Sequence, residues 1–223
     1  MDDTTPKAYL SWSGQTDPGR YRRNNEDAFI ALTFNAHEVL LLGKEGDAPL
    51  ADNDFVFAVS DGMGGANAGE FASRIAVEKI KYLMPRSFAM KAKGFQGIEL
   101  DLLSELFTQI HAEMKRMGTC YEECAGMGAT LTLAWVTPKR VYFAHIGDSR
   151  LFLLGKEEGI KQITNDHTRV QNMIANGLIT ETQARFHPDR HVLNQSLGAH
   201  FHVVDPQLGA IDYERGDHLL LCT

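Results

Sequence analysis

Phe55-Val56-Phe57-Ala58-Val59-Ser60-Asp61-Gly62-Met63-Gly64-Gly65-Ala66 is the stretch on which the fold and the chemistry both turn. Phe55 to Val59, following Asp52, Asn53 and Asp54, is a short apolar run rich in β-formers and reads as a buried strand. Beyond it, Glu70 to Leu83 carries apolar residues at Phe71, Ile75, Ile80 and Leu83, a helical spacing. A carboxylate therefore sits where a strand ends, ahead of a backbone with little side-chain cover and then a helix. That layout suits a hard cation. Asp61 offers oxygens, the Gly62 carbonyl can be approached closely, and the glycines tolerate positive φ. A ligand-free Gly-rich turn is the plainer reading of the segment alone. A phosphate-cradling loop fits less well, because no Gly-Lys-Ser/Thr follows four intervening residues and no G-x-G-x-x-G register is present.

The 223 residues, 43% of them hydrophobic, are ample for one domain with a sizeable core, read here as residues 1–223. A formal charge of −7 argues against a nucleic-acid partner or a polybasic membrane contact. No apolar run reaches the length of a membrane span, and the first residues lack the basic and apolar regions of a secretory leader. Three cysteines make no disulfide framework, and Cys120 and Cys124 have no second pair to complete a zinc site. These features describe a cytoplasmic protein with free thiols, taken as a monomer.

Working outward, Tyr9 to Ser13 reads as a strand and Thr16-Asp17-Pro18-Gly19 as a turn. Arg20 to Asp27 is polar and precedes the apolar Ala28 to Leu32. Taken alone it is a solvated strand entrance, yet it gathers guanidinium and carboxylate groups as an anion site beside a cation site requires. Val39–Leu42 and Phe55–Val59 are expected to pair as a hairpin around a surface linker, 43–54. Helices are expected over roughly 67–84 and 98–117, with a loop over 85–97. Leu102, Leu103, Leu106, Ile110, Met114 and Met117 form the apolar stripe of the second. From Gly126 the period changes to strands, at 130–136, 140–146, 151–154 and 160–163. Short helices near 168–176 and 180–186 follow, then strands at 203–204, 208–211 and 218–222. Strand-rich, with paired helices, the pattern predicts an α+β architecture and excludes a doubly wound parallel sheet.

These segments together resemble the metal-dependent serine/threonine protein phosphatases, protein phosphatase type 2C. The resemblance rests on Arg22-Arg23-Asn24-Asn25-Glu26-Asp27, Asp61-Gly62-Met63-Gly64-Gly65, Gly126-Met127-Gly128-Ala129-Thr130, Ile146-Gly147-Asp148-Ser149-Arg150 and Thr164-Asn165-Asp166-His167-Thr168. Gly177-Leu178-Ile179-Thr180, His187-Pro188, Ser196-Leu197-Gly198 and Gly216 to Cys222 continue it in the family's order. Met63 is more like the bacterial branch. The resemblance implies a four-layer α-β-β-α sandwich of two antiparallel sheets flanked by helix pairs. It also implies hydrolysis of phosphoserine and phosphothreonine in a phosphorylated protein, by water activated at a binuclear Mn²⁺ or Mg²⁺ centre. By position Asp61 bridges two ions and the Gly62 carbonyl ligates one. Glu26 and Asp27 hold metal-bound waters, Arg22 binds the phosphate with Arg23 a decoy, and Asp148 serves a third, weaker ion. Residues 168–187 correspond to a flap beside the site. Oxygen-only ligands suit Mg²⁺ or Mn²⁺ over zinc, and no Gly-x-Ser-x-Gly elbow or cysteine-centred phosphate loop competes with this chemistry.

Two departures matter. The family's last matched strand runs on into an Asp-Gly, and later an Asp-Asn, that supply further ligands. The sequence here stops at Thr223, so it is expected to be a piece of a longer phosphatase, with weak metal binding and little turnover alone. Met63 stands where some members place a histidine able to protonate the leaving alkoxide. His145 is read as a core histidine, His167 as a structural hydrogen-bonding residue, and His187 and His191 as flap structure. The alternative function is a non-catalytic, pseudophosphatase-like module that binds phosphoprotein or a regulator; a small-molecule phosphomonoesterase is a third.

Overall fold

The structure, a computed structural model, describes residues 8–20, 22, 24–35, 38–50, 53–64, 68–92, 97–156 and 159–223, without the side chains of 85–92. Arg23, Gly65 and Ala66 lie outside the described residues. In chain order the strands and helices are β1 (Tyr9–Ser13), β2 (Asp27–Phe34), β3 (Val39–Leu41), β4 (Glu45–Pro49), β5 (Asp54–Met63), α1 (Ala68–Ala92) and α2 (Glu99–Cys120). They continue as β6 (Gly128–Ala129), β7 (Leu131–Val136), β8 (Val141–Ile146), β9 (Arg150–Gly155), β10 (Gly159–Gln162), α3 (Arg169–Ala175), α4 (Glu181–Ala184), β11 (Leu197–Gly198), β12 (Gln207–Ile211) and β13 (His218–Cys222).

β5, ten residues long, is the axis of the larger sheet. β2 pairs with it on one side and β7 on the other, and the sheet extends through β3 in one direction and through β8 and β12 in the other. Past β7, the end of β5 pairs with β6, which pairs with β11. A second layer is made of β10-β9-β13 and the separate pair β1-β4. Every pairing is antiparallel. The α+β sandwich predicted from the strand-rich pattern is what forms, with α1 and α2 packed together on the larger sheet. Among the described residues, no helix is long and apolar enough to cross a membrane.

The unbroken apolar run of β5 follows from burial on both faces. Val56 and Ala58 join the helix-side core with Ile30, Leu32, Leu133, Trp135, Ile80 and Phe107. Phe55 and Phe57 turn the other way, into the core between the sheets with Ala134, Phe143, Leu151 and Trp12. The two-residue period then decides the fate of the stretch that follows. Asp61 continues the inter-sheet face and emerges at the sandwich rim. Gly62 continues the helix face, where α1 crosses. A Cβ on Gly62 would lie 2.5 Å from the Gly69 carbonyl carbon and nearer still to its oxygen, so the first turn of α1 docks only on a residue without a side chain.

Four expectations need correction. β3 pairs with β2 and not with β5, because β2 already occupies that flank of β5. The linker 43–54 contains β4, which pairs with β1. The helical backbone of α1 runs on through residues expected to be a loop, to Ala92; Phe88-Ala89-Met90-Lys91-Ala92 contains good helix formers, which outweigh the basic, Gly-containing composition that marked 85–97 as a loop. Val203-Val204 is not a strand. Gly62→Ala is expected to lower stability by about 1–3 kcal/mol through overpacking, read from the urea midpoint. Gly43→Ala, whose Cβ would meet its nearest atom at 3.7 Å, is the control expected to be near neutral.

Candidate active site

Asp27 and Asp61 are direct partners in the β2–β5 register. The N–H and C=O of Asp61 both point away from β2: its N–H donates to Thr130 Oγ1 at 3.0 Å, and its carbonyl accepts from the Thr130 N–H at 2.8 Å. On the β2 side it is the Gly62 N–H that donates, to the Glu26 carbonyl at 3.0 Å. Asp27 and Asp61 are thus a non-hydrogen-bonded antiparallel pair, the kind whose Cα atoms approach to about 4.5 Å with side chains on one face. Two carboxylates directly opposite each other repel. Burial and Asp27, with smaller contributions from Asp148 and Glu26, push the Asp61 carboxyl up from its ordinary 3.8 to about 6, against an opposing pull from Arg22.

Arg22 and Glu26 are brought to the same rim, and Asp148 lies near enough to act on the Asp61 carboxyl. Arg22 Nη1 donates to Glu26 Oε2 at 2.6 Å, while 62% of the arginine side chain stays exposed. The arginine therefore keeps donors in the cleft, an open space of about 350 Å³ lined by Arg22, Glu26, Asp27 and Asp61 together with Thr223 and the turn around Asp17 to Arg20. Asn25 Oδ1 accepts from the Asp27 N–H at 3.0 Å, and Asn25 Nδ2 donates to Thr16 Oγ1 at 2.7 Å, which ties the polar strand entrance to the turn before it. Thr223 Oγ1 donates to Asp27 Oδ2 at 3.0 Å. Asp148 is held in the turn after β8, and burial, then Asp166, raise its carboxyl, with Arg150 and His191 opposing.

The donors are all oxygens, as a hard cation requires. A point one bond length from the Gly69 Cα lies 2.9 Å from both Glu26 Oε1 and the Gly62 carbonyl oxygen, so these two acceptors face a common space. Among the described residues, no three His, Cys, Asp or Glu side chains converge as a ready metal cage. Oxygen chemistry and mutual repulsion fit a divalent cation; the donor count here is short of a full shell.

The histidines behave as structural residues. His145 is fully buried and burial lowers its pKa to about 4. Its Nε2–H serves the Asn165 carbonyl, which leaves Nδ1 to accept from Thr132. His167 Nδ1 accepts from the Gly147 N–H. Cys120, Cys124 and Cys222 are free thiols. The sequence reading gave no role to Thr130, Ser149, Asn25 or Thr223.

A family profile described as Protein phosphatase 2C matches residues 48–223. The chain belongs to the protein phosphatase 2C family. It is 31% identical over 217 residues to the serine/threonine protein phosphatase PstP of Mycobacterium tuberculosis, covering 96% of this chain and 36% of PstP. The chain thus spans just over a third of that relative's length. A solved serine/threonine phosphatase of S. agalactiae superposes with a TM-score of 0.78 at 27% identity, over 96% of this chain and 78% of that one. The PstP catalytic domain, solved in complex with two manganese ions, gives 0.64 at 27% identity, over 97% and 77%.

The raised Asp61 carboxyl has a sign that can be tested. Its ionised form is favoured in the unfolded chain, so it costs stability as pH rises from about 4 to about 6, and the cost persists above that range. In metal-free protein, Asp61→Asn is expected to raise the melting temperature at pH 7.5 and to lose that advantage near pH 4. An unchanged or lower melting temperature at pH 7.5 contradicts the repulsion.

Proposed function

We propose that this domain is a phosphoprotein phosphatase that hydrolyses phosphoserine and phosphothreonine. The observation that carries it is the Asp27–Asp61 pair, held face to face at a rim that also collects Glu26 and Arg22, with Asp148 near enough to act on Asp61. Family membership and the phosphatase names of its relatives support the same reading. A phosphate monoester is a dianion whose hydrolysis without a catalyst is among the slowest of reactions, so the site must neutralise charge and present water.

Each side chain has a task in that reading. Arg22, already braced by Glu26, presents its outward guanidinium donors to the phosphoryl oxygens. Asp61, through its carboxylate, and Gly62, through its carbonyl, would hold divalent cations, Mn²⁺ or Mg²⁺, with Asp148 serving a further one. The PstP structure with two manganese ions supports metal dependence in general. When bound, such ions supply Lewis-acid chemistry, polarising phosphoryl oxygens and making water acidic enough to attack at neutral pH. Glu26 and Asp27 orient water by accepting hydrogen bonds from it. Met63 contributes no proton to the leaving alkoxide.

A second reading draws on the short donor set among the described residues: the same Arg22 and rim bind a phosphorylated segment without turning it over. Hydrolysis of p-nitrophenyl phosphate and of a phosphothreonine peptide with Mn²⁺ separates the two. The phosphatase reading expects turnover that falls about 10²-fold or more in Asp61→Asn. Arg22→Ala is expected to raise KM about tenfold, as loss of a charge-assisted hydrogen bond does. Saturable phosphopeptide binding with no hydrolysis favours the second reading. Full activity in Asp61→Asn overturns the first.

A further inference from the structure

Between Gly128–Ala129 and Leu131–Val136 the sheet has a one-residue break, and Thr130 occupies it. The register Val59↔Thr132 on one side and Gly62↔Ala129 on the other puts Asp61 opposite Thr130. An ordinary antiparallel pair of this kind exchanges two backbone hydrogen bonds. Only one is made here, from the Thr130 N–H to the Asp61 carbonyl. The other is rerouted: the Asp61 N–H goes to the Thr130 hydroxyl, and the vacated Thr130 carbonyl accepts the Ser60 hydroxyl at 2.7 Å.

The same Thr130 oxygen shares a second hydrogen bond with Ser149 Oγ, at 3.1 Å. Ser149 directly follows Asp148. The methyl side of Thr130 lies under the turn before it: a Cβ on Gly147 would meet Thr130 Cγ2 at 2.5 Å, and Gly147 takes φ 107, open to glycine. Thr130 and Ser149 are each about 1% exposed. Behind them, Thr132 Oγ1 touches Ser149 Oγ at 2.9 Å and His145 Nδ1 at 2.8 Å. The Asn165 carbonyl and the His167 backbone, which bonds Gly147, close this buried network where the segment bearing α3 begins.

We infer that Thr130 is a positioning residue: its hydroxyl oxygen, shared between the Asp61 N–H and Ser149, sets the spacing and orientation of the Asp61 end of β5 relative to the Asp148 turn. The inference rests on the reading of Asp61 and Asp148 as cation-holding residues. A strand without that hydroxyl would still form, because the packing around Leu131 and Leu133 in the core does not use it. With the Thr130 carbonyl taken by the Ser60 hydroxyl, it would leave the Asp61 N–H unpaired, and Asp61 would lose its register with the Asp148 turn.

Thr130→Val keeps the shape and removes the acceptor; Thr130→Ser keeps the acceptor and removes the methyl. Two measurements on the full chain decide it: amide hydrogen exchange at Asp61 in metal-free protein, and Mn²⁺ affinity by calorimetry. In Thr130→Val the Asp61 amide is expected to exchange about tenfold faster, the scale of one lost hydrogen bond, while amides at Phe57 and Val59 hold their rates. Mn²⁺ affinity falls by a similar factor, and Thr130→Ser restores both to within about threefold of wild type. Wild-type exchange and wild-type affinity in Thr130→Val overturn the inference, as does a Thr130→Ser protein as impaired as the valine variant. If Thr130→Val does not fold, Ser149→Ala takes its place and is expected to weaken Mn²⁺ binding with the Asp61 amide still protected; unchanged affinity there overturns the proposal. Wild-type protein that binds no Mn²⁺ contradicts the metal reading alone, and the Asp61 exchange rates then decide the role of Thr130.

Discussion

Two like charges held face to face by a β-ladder are the constraint from which the rest of the site follows. Asp27 and Asp61 cannot separate without breaking the β2–β5 register, and that register is fixed by two buried faces. A slip of one residue would turn Val56 and Ala58 out of the helix-side core and Phe55 out of the inter-sheet core. The hydrophobic cores thus hold the carboxylates together against their repulsion. Stability is surrendered at the rim, as functional sites commonly require, and a divalent cation is the species that would recover it.

The backbone around the pair is organised to keep its approach open. Gly62 lets α1 lie against β5, and the Asp61 amide is drawn off its ladder position by Thr130. Arg22 and Asn25 brace the strand entrance from opposite sides, one on Glu26 and the other on the Asp27 amide. Cations and a phosphate dianion could then share a cleft with no side chain acting as a covalent nucleophile, the division of labour expected of two-metal phosphoryl chemistry.

Much of this was legible in the sequence because it is written in local patterns. The apolar run ending at Asp61, the helical spacing after it, and the alternation of 131–136 and 141–146 each depend on neighbours within a few residues. The expectation that Arg22, Glu26, Asp27, Asp61 and Asp148 act together came from the family resemblance, and the structure brings them to one electrostatic neighbourhood. What was not legible depends on partners distant in sequence. β3 was assigned to β5 since nothing local says that β2 already lies between them. Residues 85–97 read as a loop from their basic, Gly-containing composition, although the helix carries on to Ala92. The role of Thr130 is invisible until the register shows which amide its hydroxyl faces.

The most direct test of the carboxylate pair is a proton count during Mn²⁺ binding, measured by calorimetry in buffers of different ionisation heat. With the Asp61 carboxyl pushed up to about 6, roughly half of the metal-free protein carries that proton at pH 6, and a bound cation must expel it. About half a proton released per binding event at pH 6, falling towards zero at pH 8, is the predicted result. Mn²⁺ binding with the same proton count at both pH values, or undiminished in Asp61→Asn, would contradict a cation held at this pair.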